Sequence, residues 1–470
     1  MKRFLIIGTG FTASVIYKSL SEKGLDVQCI QPNISSEPLI DFEIEPGSIF
    51  DEEIFNRNSK IGGGISQWGH AISYPSKKNF FLCDINPDWN TIASKVSAMP
   101  TERIFGVKEV SNMALDQLGE HFPNLALEMN IEQHSYSGGF LGNGDPRAFI
   151  QPVKNYLAGR IISIIYNDTE SQYVIEILGN GGITSYFCCD VLIFASGAML
   201  NACFTSLITG DSIFPIGNHF SKKIAQVRFK KPISLRNIAQ GYAHNEKNFL
   251  TFALQSSVLE KSRSISSIRF QTELSSRKEI YLMFKTISSP ARLLEFISFC
   301  VRTILNFVRR QDREIWSAVL RIMVDQPLNE INHLAITHKK NGFFGCKISL
   351  KMDEAVTSQA LNLTNIFLAS LSQSELVKSI KPLEPNSITN DFELGFCDSS
   401  YWSDAAHYFG SVPMTREFRT NFVSQEFQLG GFDRLYVVGN STFPFGSHCH
   451  PTFLNMCLSK LLGDSLIELE

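Results

Sequence analysis

The chain has 470 residues, 44% of them apolar and 19% charged, with a formal net charge of -3. That length buries a large core and suits two connected domains, and the near-neutral charge gives no electrostatic case for nucleic acid or an anionic membrane as partner. The ten cysteines, Cys188-Cys189 included, form no CxxC pair or zinc spacing. They are therefore expected to be the reduced thiols of a cytoplasmic protein, and no metal site is expected.

In chain order, an apolar run predicts a strand at Arg3–Ile7, then a glycine turn, a helix at Ala13–Lys23 ended by Gly24, and a strand at Val27–Ile30. Met1-Lys2-Arg3 imitates the charged start of a signal peptide. The apolar run stops at Ile7, however, and is needed as a strand, so secretion is not expected. Gly8-x-Gly10-x-x-Ala13 suits a dinucleotide, with a tight turn at Gly8 and close approach of a pyrophosphate at Gly10. The small Ala13 packs helix on strand, and Thr9, Phe11 and Thr12 lie beside the anion at the helix N-terminus. The ribose-binding acid usual at the end of the second strand is missing; Gln31 stands there as a neutral hydrogen-bonding partner.

Gly62-Gly63-Gly64-Ile65-Ser66-Gln67-Trp68-Gly69-His70 predicts a loop that wraps a planar ligand. Alternating segments at Arg160–Tyr166 and Tyr173–Leu178 predict an antiparallel meander, followed by a buried strand at Asp190–Phe194 that ends in Ala195-Ser196-Gly197. Beyond Gly217 longer strands are expected at Ile224–Phe229, Ile280–Thr286 and Ala318–Val324. From Ala291 to Val308 the apolar residues follow the helical period. Arg292, Glu295 and Arg302 exclude a transmembrane span there. This helix is expected to pack on a sheet, with peripheral membrane contact through Arg309 and Arg310 as the alternative. A strand at Leu435–Val438 and a helix at Thr452–Ile467 close the chain.

Two C-terminal histidines attract attention. His407 heads His407-Tyr408-Phe409-Gly410-Ser411-Val412-Pro413-Met414, and His450 follows the Leu435–Val438 strand in Gly446-Ser447-His448-Cys449-His450-Pro451-Thr452. Convergent imidazoles suit removal of a hydroxyl proton by one ring while the other holds the oxygen. His70, His121, His134, His219, His244, His333 and His338 lack partners at informative spacing and are expected to be structural or surface residues; His448 is a neighbour of His450 with a structural role.

These segments resemble the glucose–methanol–choline (GMC) oxidoreductases, especially their bacterial sugar-oxidising branch. The glycine-tryptophan loop is similar to the family's GG-x-S-x-x-W segment, with Ile65 in place of a serine. His407 to Met414 is similar to H-x-x-G-T-x-x-M, with Ser411 for threonine. Asn440-Ser441-Thr442-Phe443-Pro444 and Pro451-Thr452 follow the closing segment, and Asp325-Gln326-Pro327 resembles the E-Q-x-P strand.

The resemblance implies an α/β fold: a Rossmann-type FAD-binding domain with an inserted α+β substrate-binding domain on a mixed or antiparallel sheet. The expected divisions are 1–216, 217–393 and a returning 394–470. It implies FAD held by Gly8, Thr9, Gly10, Phe11, Thr12, Gln31, Gly62, Gly63, Ser66, Trp68, Ile162, Ala195, Gly197, Asn440, Ser441, Pro451 and Thr452. Gln67 replaces the histidine that links flavin in some members, so the cofactor is expected to be non-covalent. The implied reaction is oxidation of a CH–OH group in a small alcohol, a sugar or sugar derivative being the expected substrate, with His450 and His407 as the catalytic pair and base duty on His450 or on the pair jointly. A flavin-binding scaffold without catalysis, or an oxidoreductase of another FAD family, are the alternatives.

Overall fold

The computed structural model describes residues 2–32, 38–58, 71–72, 87–100, 131–135, 137–138, 153, 156–179, 181–234, 249–254, 266–271, 297, 314–326, 328–382, 402–415, 421–444, 446 and 452–469. Near-continuous apolar runs form a five-stranded sheet in the order Leu435–Val437, Val191–Phe194, β1 (Arg3–Ile7), β2 (Asp26–Gln31) and Tyr156–Ala158. All its neighbours run parallel, which explains why residues such as Leu5, Ile6, Ile193 and Val437 are buried on both faces.

The helix α1 follows β1 and spans Phe11–Ser21, shifted two residues toward the N-terminus from expectation because Gly10 serves as its N-cap. It packs against the C-terminal helix Thr452–Glu468. There a Cβ on Gly463 would stand 2.9 Å from the Ser19 Cβ, so glycine sets the close approach of the two helices.

The expected meander is present as an antiparallel sheet of Arg160–Asn167, Gln172–Leu178 and Thr184–Cys189. The substrate-side sheet is larger. Val377–Pro382, Asn218–Ser234, Glu314–Gln326, Ser266–Gln271, Phe249–Leu254 and Ile131–Ser135 pair antiparallel in that order, and Ser403–Asp404 joins Asn218–Ser234. Glu354–Ser372 is a 19-residue helix that packs on this sheet. The expected strand at Ile280–Thr286 lies outside the described residues, as does the amphipathic helix but for Ile297, which is helical and exposed.

Sheet membership crosses the divisions expected at 217 and 393. Ile131–Ser135, from the first segment, forms an edge of the substrate-side sheet, and Phe344–Ser349, from the second, pairs in parallel with Ile40–Ile44 of the first. Backbone pairing between distant segments decides these boundaries, and no local composition reports it. Among the described residues no helix is long and apolar enough to cross a membrane.

Candidate active site

The N-terminal glycine turn has two glycines with different duties. Gly8 adopts φ +127°, and a Cβ there would lie 2.5 Å from the Ala195 carbonyl oxygen, so this glycine is required by the fold itself. Gly10 has φ -74° and ψ -169°, which any residue adopts, and it caps α1 with no side-chain hydrogen bond. No acid occupies the first turn of α1, so the amides and dipole at its start suit a pyrophosphate. Gly439, with φ +108°, closes on this turn: a Cβ there would be 3.2 Å from Thr12 Oγ1. The end of the Leu435–Val437 strand and the start of α1 are thus adjacent, and together they form a cradle that fits FAD.

The remaining cofactor candidates are placed as follows. Thr9 Oγ1 donates to Gln31 Oε1 in a buried contact, so Gln31 is tied to the glycine turn at the end of β2. Ile162 falls at a bulge, where the register passes from Ile161↔Ile177 to Ser163↔Glu176. Ala195 N–H donates to the Ile7 carbonyl at 2.9 Å, and Gly197 caps the helix Ala198–Thr209 at φ +86°. Asn440 Oδ1 accepts from Asn455 Nδ2. Ser441 is fully buried, and its Oγ accepts from Asn201 Nδ2 at 2.8 Å, so its side chain braces the loop. Phe11 opens α1, and Thr452 is the first residue of the last helix. Gly62, Gly63, Ser66, Trp68, Pro451 and His450 lie outside the described residues.

Asn201 joins segments that lie far apart in the sequence. Its Nδ2 also reaches the Val438 carbonyl at 3.2 Å, while its Oδ1 accepts from Ser196 N–H at 2.8 Å. Beside it, the backbone of Gly410, Val412 and Met414 donates to the carbonyls of Asn440, Ser441 and Thr442 at 2.9, 2.9 and 3.0 Å. This ladder carries the His407 segment to the cofactor-side loop.

His407 is held through its backbone and its ring. Its N–H donates to Asn218 Oδ1 at 3.1 Å. Asn218 Nδ2 in turn donates to Asp404 Oδ1 at 2.8 Å. Asp404 also accepts from Ala406 N–H at 2.6 Å, Asp51 N–H at 3.0 Å and the Tyr408 hydroxyl. Burial raises the Asp404 carboxyl above its ordinary range, with these hydrogen bonds opposing the rise. Burial and the Asp404 charge push the Tyr408 phenol well up.

The His407 ring meets a residue expected to be structural or at the surface. His219 is buried, and its Nδ1 lies 3.1 Å from His407 Nδ1, with the two rings at 90° and their centroids 5.2 Å apart. His219 therefore belongs to the site. Its Nε2 faces Asp325 Oδ1 at 3.8 Å, beyond hydrogen-bond reach, from the register partner across Asn218–Ser234 and Glu314–Gln326. A Cβ on Gly446 would overlap the Asp325 carboxyl, so Gly446 lies directly against this acid. The signal for His219 was its strand register opposite the Asp-Gln pair, a relation between residues a hundred positions apart.

Burial pushes the Asp325 carboxyl well above the ordinary aspartate range. The folded protein thus holds this proton more tightly than the unfolded chain. Its contribution to stability is fully present below the unfolded aspartate pKa and is lost as pH rises toward the folded value. Asp325→Asn should therefore gain stability relative to wild type as pH rises through that window, as measured by denaturant unfolding at acid and neutral pH. A pH-independent difference would contradict this sign.

Residues 348–459 match the family model for GMC oxidoreductase, a span that holds His407, Asn440, Ser441 and His450. This segment is similar to the C-terminal domain of GMC oxidoreductases. The matched segment holds the ladder and the start of the closing helix, whereas His219 and Asp325 stand outside it. The whole chain is similar in structure to pyridoxine 4-oxidase from Mesorbium loti, with 12% identity and a TM-score of 0.58 over 100% of this chain and 99% of that one. It is also similar to formate oxidase from Aspergillus oryzae RIB40, in a variant made to study FAD modification, with 10% identity and a TM-score of 0.63 over 100% and 98% of the two chains. At such identities the likeness shows the fold: a Rossmann-type domain with a substrate-side sheet. No curated protein matches in sequence.

Proposed function

We propose that this chain is an FAD-dependent oxidoreductase that oxidises a CH–OH group to a carbonyl, with a sugar or sugar derivative as the leading substrate. The observation that carries the reading is His407, fixed by Asn218 and His219 on a segment laddered to the loop beside the start of α1. Bound FAD would supply the two-electron acceptor for the hydride of the substrate carbon. The chain's task is to orient the hydroxyl and take its proton. One neutral imidazole of the His407–His450 pair accepts that proton, and the other donates a hydrogen bond to the oxygen as charge develops. The resemblance assigns His450 as base. The oxidase names of the two structural neighbours support the class, and pyridoxine joins sugars and simple alcohols as a substrate to test. Yellow purified protein that bleaches anaerobically with an alcohol supports this function; yellow protein that no member of the panel bleaches contradicts it.

FAD is proposed to be held without a covalent bond, since Gln67 occupies the position of the linking histidine. Acid precipitation should release the yellow colour into the supernatant. Colour retained in the pellet would show a linkage and direct attention to His70.

A further inference from the structure

The contact between His219 and His407 has a chemical constraint built into it. Two neutral imidazoles facing each other through Nδ1 at 3.1 Å form a hydrogen bond only if one Nδ1 carries a proton and the other does not. The proton on each ring is then fixed for the opposite nitrogen as well: a ring bare at Nδ1 carries its proton on Nε2, and the reverse.

We propose that His219 is a positioning residue that donates from Nδ1 to His407 Nδ1, so that His407 keeps its proton on Nε2 and presents a donor to the substrate oxygen. The geometry favours this direction over its reverse. His219 is buried between the His407 ring and the Phe409 ring, whose centroid is 5.8 Å away, and its Nε2 edge faces the Asp325 carboxyl. Asp325 is itself almost completely buried and covered by Gly446. Burial disfavours the Asp325 carboxylate, so the negative charge that would draw a proton to the Nε2 edge 3.8 Å away is disfavoured and the His219 proton is left to Nδ1. The neighbouring backbone supports the same alignment, because the Ala405 N–H donates to the His219 carbonyl at 3.0 Å while His407 N–H binds Asn218. Successive residues of one strand therefore fix both the main chain and the ring of His407.

The use of the Nε2 donor rests on the alcohol-oxidising reading above; the position of the proton does not. Given that reading, His407 is the oxygen-holding member of the pair and base duty falls to another group, which the resemblance places at His450. An Nδ1-protonated neutral histidine is the less common tautomer in water, so its presence at His219 is a distinctive expectation.

Imidazole nitrogen NMR of the flavin-loaded protein, labelled with 15N-histidine, tests the claim directly. Signals are assigned by their loss in His219→Asn and His407→Asn. The expected pattern is a protonated Nδ1 on His219, with a bare Nδ1 and a protonated Nε2 on His407. His219→Leu should shift the His407 Nδ1 signal toward that of an imidazole nitrogen with no donor. It should also slow substrate-driven flavin reduction by about tenfold or more at unchanged flavin content, as expected when an oxygen-holding group is misplaced. His219→Asn, whose amide takes the place of Nδ1, should restore most of the rate. The reverse proton pattern, with Nδ1–H on His407, overturns the proposal, as does a His219→Leu protein with unchanged His407 signals and rate. If the leucine variant fails to fold, the wild-type spectrum and the asparagine variant still decide. The expected spectrum in a protein that no alcohol reduces would sustain the proton assignment and contradict the proposed function instead.

Discussion

His407→Ala and His450→Ala should each retain FAD yet slow flavin reduction by an alcohol by roughly a hundredfold or more, the scale of a positioned acid–base group. Both imidazoles act on one oxygen, so the double variant should lose much less than the product of the single effects. His448→Ala should be mild by comparison. The rates belong to anaerobic reduction by substrate, because steady-state turnover also reports reoxidation. Loss of reduction in His448→Ala with His450→Ala intact would place the second histidine two residues earlier. Wild-type rates in all three variants would remove the histidine mechanism. His407 is held twice, since its backbone and ring are both tied to consecutive residues of the Asn218–Ser234 strand.

The second large effect separates the two glycines of the N-terminal turn. Gly10→Val should abolish flavin binding while the apoprotein keeps its fold, because the Gly10 backbone suits any residue and a branched side chain there would stand where the pyrophosphate is expected. Gly8→Ala should instead unfold or strongly destabilise the chain, since its Cβ would meet the Ala195 backbone and its φ is +127°. Flavin absorbance per protein and thermal unfolding of the apoproteins check both. Gly10→Val with full flavin content would show that this turn only connects strand and helix.

Four strands of the parallel sheet and two of the meander were legible because each carries its own apolar pattern, whereas Tyr156–Ala158 and Thr184–Cys189, mostly exposed or half-buried, were not. β1, Val191–Phe194 and Leu435–Val437 are buried on both faces, and Gln172–Leu178 alternates cleanly. The Glu354–Ser372 helix was not legible. Thr357 and Thr364 are polar yet buried, with each hydroxyl donating to the carbonyl four residues back, at Asp353 and Ala360, so the apolar stripe is interrupted. The long Asn218–Ser234 strand showed only its middle, Ile224–Phe229, because its register shifts between Lys223 and Ala225 and again between Arg228 and Ile233.

Within the site, the glycine turn and His407 could be found locally, since spacing within one segment carries their chemistry. His219 could not. Its partner is 188 residues away, and the pairing of Ser403–Asp404 with Asn218–Ser234, along with the Gly217–Phe409 bridge, brings them together. Asn201 was hidden for the same reason: its hydrogen bonds reach Ser196, Val438 and Ser441 from a helix whose sequence reads as apolar packing.

The most direct test of the account is anaerobic mixing of the yellow wild-type protein with a panel of sugars, simple alcohols and pyridoxine, while the visible flavin absorbance is followed. At least one alcohol should bleach the flavin, and deuterium on its CH–OH carbon should slow the bleaching, because that hydrogen leaves as hydride. Yellow protein that no alcohol on the panel bleaches, or bleaching indifferent to deuterium at a carbon-hydrogen step shown to limit the rate, would contradict the oxidation of a CH–OH group at this site.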